Sequence, residues 1–257
     1  MTKNMIDCHC HLEQEDYDSD RQDVIKKCRE KLKALVTCCA KPKDWSLTKE
    51  IVLKNKGFVY AIAGIHPEFI KEISEKEIND FISAIKTELK KRLVKGIGEI
   101  GLDYHWIKEE EWREKQRKLF IKMINLAKEL NLPLIIHSRD AVGECIEILE
   151  KSGMKGKKVL MHLMTEREFL QRITENGWMI SIGPGILRSK AARKTARDCP
   201  VSNLMLETDS PWFGQGERGT PLNVIKAAEK IAEIKKISVE EVEKKTDENA
   251  INFFNLK

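Results

Sequence analysis

The sequence predicts an α/β chain folded as one (β/α)8 TIM barrel over residues 1–257, with an extra helix at the C-terminus. Three observations predict it. Apolar runs of strand length recur along the whole chain, stretches with helical periodicity separate them, and most of the runs end in His, Glu or Asp. Strand alternating with helix implies a parallel sheet. Eight such units close a barrel whose functional side chains collect at the C-terminal strand ends. A chain of 257 residues is long enough for one barrel with a sizeable core.

The candidate strands lie near residues 4–9, 33–39, 58–64, 93–99, 133–137, 158–162, 178–182 and 203–207. The first run reads Met5-Ile6-Asp7-Cys8-His9-Cys10-His11. Strand alternation puts Asp7, His9 and His11 on one face and Cys8 and Cys10 on the other. Two imidazoles on one face can grip a divalent metal from a single strand end. The third run ends in His66, the fourth in Glu99, the fifth in His137, the sixth in His162, and the eighth in Glu207, Thr208 and Asp209. In a barrel these side chains share one rim and converge on one pocket. Between strands, Trp112 to Leu130 places Leu119, Phe120, Met123, Ile124, Ala127 and Leu130 at helical spacing. A Ser238-x-x-Glu241 capping box opens the last helix. Its Val242, Ile251, Phe253, Phe254 and Leu256 are expected to pack on the outside of the barrel.

Composition narrows the function classes. Seven cysteines, an odd number with no Cys-x-x-Cys pair, favour reduced, buried thiols over a disulfide framework or a zinc knuckle. No apolar run approaches the roughly 20 residues of a membrane span, and no charged-then-apolar leader precedes the first strand. The expectation is a soluble cytoplasmic protein. The net charge of +5 is mild, and lysines beside glutamates, as in Glu88 to Lys91 and Glu240 to Lys245, read as solvated helix faces. Arg188, Lys190, Arg193, Lys194 and Arg197 follow the seventh strand and are placed to attract a polyanion such as nucleic acid. The Gly96 to Gly101 segment satisfies G-x-G-x-x-G, but no helix opens there and the next begins nearer Glu110. It is therefore not a dinucleotide fingerprint; the glycines are expected to let the strand end pass close to a metal.

The segments Ile6-Asp7-Cys8-His9-Cys10-His11-Leu12, Gly64-Ile65-His66-Pro67, Gly96 to Tyr104, Ile136-His137-Ser138-Arg139 and Leu206-Glu207-Thr208-Asp209-Ser210-Pro211-Trp212 resemble, in order, the TatD family of metal-dependent deoxyribonucleases. The resemblance implies an amidohydrolase-like barrel with two divalent metal ions and hydrolysis of DNA phosphodiesters, often as a 3′ to 5′ exonuclease. It implies that His9, His11 and Asp209 hold one ion, that His137 and His162 hold the other, and that Glu99 bridges them. The chemistry asks for such a set: two ions about 3.5–4 Å apart activate water and clamp the phosphate. Imidazole with carboxylate suits zinc, manganese or another first-row metal, and the ions are zinc, manganese or magnesium with the choice open. The expected mechanism is in-line attack by a hydroxide bridging the ions, with Asp209 and Glu99 catalytic and His66 hydrogen-bonding the scissile phosphate. Arg139 is placed to pair with a phosphate oxygen. Tyr104, Trp106, Trp212 and Phe213 are placed to stack bases of a single strand or frayed end, with Arg188 nearby. Glu207 either orients a ligand or hydrogen-bonds inside the barrel. No membrane and no obligate protein partner is inferred.

Two segments depart from the family pattern. Leu163-Met164-Thr165 follows His162 where the family usually has Cys-Phe-Ser-Gly. Glu217 to Asn223 replaces Arg-Asn-Glu-Pro. Both read as substrate-facing, so an esterase, amidase, phosphotriesterase or aminoacyl-tRNA deacylase on the same metal site is the alternative. Such relatives often bridge their metals through a carbamylated lysine; Lys95 has the parity of Glu99 but lies deeper in its strand, so Glu99 is the better bridge. A metal-free nucleic-acid-binding module leaves the convergent ligands unexplained.

Overall fold

Eight parallel strands pair in chain order: β1 (Ile6–Cys10), β2 (Ala34–Cys39), β3 (Val59–Ala63), β4 (Val94–Asp103), β5 (Leu134–Arg139), β6 (Val159–Met161), β7 (Met179–Ile182) and β8 (Leu204–Leu206). Helices α1 (Arg21–Lys31), α2 (Trp45–Lys54), α3 (Glu75–Leu89), α4 (Glu110–Leu130), α5 (Val142–Lys151), α6 (Leu170–Glu175), α7 (Lys190–Asp198) and α8 (Val224–Lys235) follow the strands in turn. The last helix is α9 (Val239–Phe254). This computed structural model describes residues 5–89 and 93–256. Residue 4 of the expected first strand, and Lys90 and Lys91 of the expected solvated stretch, lie outside them. Glu88 of that stretch is buried and paired with Lys49 of α2 at 3.4 Å.

Strand alternation sorts the apolar side chains into two layers. Leu35, Val59, Ile97, Ile136, Met161 and Leu206 face outward onto the helices. Ile6, Val36, Ile62, Ile135, Leu160 and Met205 fill the barrel. The expected alternation fails in β1, where the register slips between Asp7 and Cys10. Cys8 therefore packs inside with Ile6 and Val36, while Cys10 joins the outer layer. The slip also frees Asp7 from the pocket and turns it to the seam between β8 and β1. There its carboxylate accepts the Thr208 N–H at 3.0 Å and the Thr208 hydroxyl at 2.5 Å. The seam is completed by Asp209 N–H to the His9 carbonyl (2.9 Å) and His11 N–H to the Ser210 carbonyl (2.8 Å). The barrel thus closes through the segments that carry the candidate ligands. All seven cysteines are buried free thiols, and no helix among the described residues is long and apolar enough to cross a membrane.

The C-terminal helix is not simply an outside layer. Its start is capped as expected, the Ser238 hydroxyl accepting the Glu241 N–H at 3.1 Å, and Val242 joins the outer core. Its end turns under the barrel, where Ala250, Phe253, Phe254 and Leu256 pack with Ile6, Val36 and Ile62 of the interior. Lys95 and Lys158 donate to the Asn255 and Asn252 carbonyls and pin this floor. Lys95 is therefore committed to the end of the barrel opposite the pocket.

Asp247 of α9 supplies a titratable floor contact. Its carboxylate accepts the Ile6 N–H at 2.9 Å, and burial raises its pKa from the ordinary 3.8 to about 7, with the Ile6 hydrogen bond only partly offsetting. A carboxyl raised on folding costs stability as pH rises from the unfolded value through the folded one. Asp247→Asn keeps the acceptor and removes the charge. It is expected to stabilise the fold at pH 8 by on the order of 1–3 kcal/mol and to change little near pH 4. Urea unfolding at the two pH values measures this; equal effects at both would remove the charge argument.

Candidate metal centre

Five imidazoles from four strand ends surround Glu99. His9 and His11 come from β1, His66 follows β3, His137 is in β5 and His162 follows β6. Asp209, after β8, holds a left-handed backbone (φ 53°) that aspartate tolerates better than most residues. The His9 and His11 Nε2 atoms are 3.1 Å apart. Glu99 Oε2 faces them at 3.4 and 3.7 Å. Glu99 Oε1 faces His137 Nδ1 at 2.8 Å, His162 Nε2 at 3.1 Å and His66 Nε2 at 3.4 Å. Asp209 Oδ1 lies 3.3 Å from His11 Nε2 and 3.6 Å from His9 Nε2. The structure thus brings all six residues expected as ligands into one cluster, with His66 beside it.

Outer carboxylates fix the imidazole tautomers, and this is where the donor set can be tested against a metal. Glu13 Oε1 accepts from His11 Nδ1 at 3.0 Å, and Glu207 Oε2 accepts from His162 Nδ1 at 3.1 Å. Each Nδ1 then carries the hydrogen, and each Nε2 points a lone pair at carboxylate oxygen or another imidazole. Lone pairs facing anions in a buried site repel unless a cation lies between them. The buried His9 Nδ1 has no hydrogen-bond partner among the described residues. Without a metal, protons must do the work. Burial opposes charge on His11, yet Glu13 and Asp209 override it and hold its pKa well above the ordinary value. Burial likewise opposes charge on His162, overridden by Glu99 and Glu207. Glu99 would be raised by burial but is held well below the carboxylate range by His162, His66 and His137. Burial also works against ionised Asp209, which His11 and His162 nevertheless keep low. The donor set fits divalent metal. His66 differs: its Nδ1 accepts the Glu68 N–H at 3.2 Å, so its Nε2 carries the hydrogen. Burial and neighbouring His137 lower its pKa. It is a neutral donor aimed at the centre.

Asp103 was not singled out from the sequence. Its Oδ2 lies 2.9 Å from His137 Nε2, and its Oδ1 accepts the N–H groups of His105 and Trp106. The sequence signal is parity: Asp103 follows Glu99 by four residues, but the strand was expected to stop at 99 and instead runs on to 103. Glu13 carries the same signal, two residues beyond His11. Glu207 satisfies both readings offered for it, since it lies inside the barrel and orients His162, while its Oε1 accepts the Leu163 N–H at 2.7 Å.

The mouth is a cavity of about 960 Å³ lined by His11, His66, Trp106, Arg139, Asp209 and Trp212, among others. Trp106 (56% exposed) lies under the Arg139 guanidinium at 5.4 Å, and Trp212 (48% exposed) meets the His11 ring edge-on at 4.9 Å. Two of the residues expected to contact substrate are elsewhere. Tyr104 is buried against α4 and α5, its hydroxyl on Glu144 at 2.9 Å and its ring beneath Arg113, so it cannot offer a stacking face. Arg188 stands outside the cavity and donates to the Gln215 carbonyl. Phe213, 44% exposed, does reach the mouth. Of the two atypical segments, Leu163 and Thr165 line the cavity. Glu217 to Asn223 instead ties back to the start of the chain, Arg218 pairing with Asp20 at 2.6 Å.

The glycines of β4 make room for the neighbouring strands. Gly101, at φ +143°, pairs with His137, and an added Cβ would fall 2.0 Å from the His137 carbonyl oxygen. Gly101→Ala is expected to push β4 off β5, displacing His137 from Glu99. The expected cost is about 2 kcal/mol or more of stability together with weakened metal binding. Urea unfolding and metal titration measure both; a variant with wild-type values would show the strands can shift freely.

The family model described as TatD related DNase matches residues 6–255. Human deoxyribonuclease TATDN3 is 35% identical over 262 residues, covering 97% of this chain and 94% of that protein. The metal-dependent hydrolase YabD of Bacillus subtilis is 32% identical, covering 98% and 99%. Among solved structures, a TatD family hydrolase from Entamoeba histolytica superposes over the full length of both chains with a TM-score of 0.91 at 21% identity, which bears on the fold alone.

Proposed function

The chain belongs to the TatD related DNase family, and from that premise we propose that it is a divalent-metal-dependent hydrolase of DNA phosphodiester bonds. We assign it 3′ to 5′ exonuclease action on single strands or frayed ends. One observation carries the reading: the two oxygens of Glu99 face separate groups of imidazoles, Oε2 toward His9 and His11 and Oε1 toward His137 and His162. That arrangement suits two ions: His9, His11 and Asp209 would hold one, His137 and His162 would hold the other, and Glu99 would serve both. When bound, such ions supply a nucleophile at neutral pH and relieve charge on the leaving oxygen.

The remaining roles belong to the chain's own side chains. Asp209, kept ionised by His11 and His162, holds the attacking water and takes its proton on a carboxylate oxygen. His66 donates its Nε2 hydrogen to a phosphate oxygen. Glu13, Asp103 and Glu207 keep their imidazoles oriented. Arg139 on Trp106 and the exposed rings of Trp212 and Phe213 provide a cation and stacking faces for a strand leaving the centre. An amidohydrolase using a carbamylated lysine loses support, since Lys95 sits on the barrel floor.

The test is hydrolysis of an end-labelled single-stranded oligonucleotide by metal-stripped protein given Mg²⁺, Mn²⁺ or Zn²⁺. Metal-dependent laddering from the 3′ end is expected, absent in His137→Ala, and absent in Asp209→Asn even when its metal content is normal. Cleavage from the 5′ end would overturn the polarity. Metal-loaded protein that leaves DNA intact would redirect the search to small esters and aminoacyl-tRNA.

A further inference from the structure

Cys38 belongs to the cluster although its strand lacks a His, Glu or Asp ending. Its sulfur lies with the donor atoms of His9, His11 and Glu99, all within 4.8 Å of one another. The residue is wholly buried on the interior face of β2, in line with Ala34 and Val36. The neighbouring thiols are turned to backbone carbonyls, Cys10 to Val36 and Cys39 to Lys41. Cys38 instead faces the cluster, where burial and the Glu99 carboxylate hold its thiol well above the ordinary value and the Glu99 backbone N–H offsets this only in part. Beside Cys38, His9 is fully buried with its Nδ1 unpartnered among the described residues. Asp209 reaches His9 and His11 from the cavity, whereas Cys38 reaches them from within the barrel.

We infer that Cys38 is a sulfur ligand of the ion held by His9 and His11. This rests on the metal-centre reading above and deepens it. Two imidazoles, a carboxylate and a thiolate make a donor set drawn entirely from the types zinc prefers. Soft sulfur disfavours magnesium and calcium, which bind through oxygen. Binding would release the thiol proton to solvent as the sulfur–metal bond forms. The consequence is a centre that is selective for zinc or cobalt at one position, set by a residue outside the motifs that carry the family resemblance.

Cobalt(II) is the probe, because it reports its ligands by absorption without any substrate. Metal-stripped protein titrated with Co²⁺ is expected to develop visible ligand-field bands together with a near-ultraviolet sulfur-to-cobalt charge-transfer band. The latter should vanish in Cys38→Ser and in Cys38→Val, the second chosen to preserve apolar packing on β2. It should persist in Cys199→Ala, whose thiol lies beyond α7. Zn²⁺ affinity in the Cys38 variants should fall by at least the roughly 10–100-fold that losing an outer-shell partner costs, with Mg²⁺ affinity little changed. Visible bands without the near-ultraviolet band, or a near-ultraviolet band that survives Cys38→Ser, would overturn the sulfur ligand and leave the histidine centre standing. Protein that binds no cobalt at all would overturn both.

Discussion

Glu99→Gln is expected to reduce metal-dependent hydrolysis by about 10³-fold or more and to lower the bound metal from two ions to one or none. The argument is electrostatic. Glu99 is buried, and both of its oxygens lie within 3.7 Å of imidazole nitrogens, five rings from four strand ends. Glutamine keeps the size and one acceptor oxygen, but removes the negative charge and turns an N–H₂ group toward one set of imidazoles. His11 and His162 have Nδ1 committed to Glu13 and Glu207, so each turns an Nε2 lone pair toward the amide, and the one that meets its oxygen is repelled. A neutral group cannot bridge two dications, and the vacated charge leaves the site positive. Metal analysis by mass spectrometry separates this from a folding defect, as does thermal unfolding. Near-normal loading with lost hydrolysis would move Glu99 from metal bridge to a role in the reaction alone. Normal activity would remove it from the centre.

Much of this centre was legible because a barrel converts sequence position into place. A strand-length apolar run ending in His, Glu or Asp puts that side chain on the rim, and His9, His11, Glu99, His137, His162 and Asp209 all follow from this one rule. What escaped did so where local backbone departs from regular alternation or where a motif was not polar. The slip in β1 put Cys8 inside and Asp7 on the seam. The irregularity in β4 between Ile97 and Ile100 carried the strand beyond its expected end to Asp103. Cys38 was passed over since a thiol at a strand end reads as core. Tyr104 falls just past a rim, where sequence position alone points to the mouth, yet the Glu144 and Arg117 pair draws it outward between helices. Loop direction depends on such tertiary partners, which no local pattern encodes.

Metal affinity should rise steeply with pH, since ions and protons compete for the same nitrogens. In the metal-free protein His11 and His162 are held well above the ordinary imidazole value by their carboxylate neighbours, despite burial. A histidine raised on folding contributes stability that is complete below the unfolded value of about 6.5 and is lost as pH climbs through the folded value. The metal-free protein should therefore lose stability as pH rises above neutrality. Glu99 and Asp209, depressed on folding, contribute stability above the unfolded carboxylate range that disappears only in acid as pH falls through their folded values. A divalent ion needs neutral imidazole. Each proton it displaces adds about tenfold to apparent affinity per pH unit, so displacement from both residues gives roughly 10²-fold between pH 6 and 7. The rise in Tm on adding Zn²⁺ should accordingly widen from pH 6 to pH 8. Titration calorimetry in buffers of different ionisation enthalpy should count about two protons released for the histidines, plus any from Cys38. His66, lowered by burial and by His137, already donates from a neutral ring and contributes nothing to that count. Proton release near zero, with metal bound, would mean that the ion sits away from His11 and His162, because those two nitrogens have only a proton or a metal to separate them from the carboxylates they face.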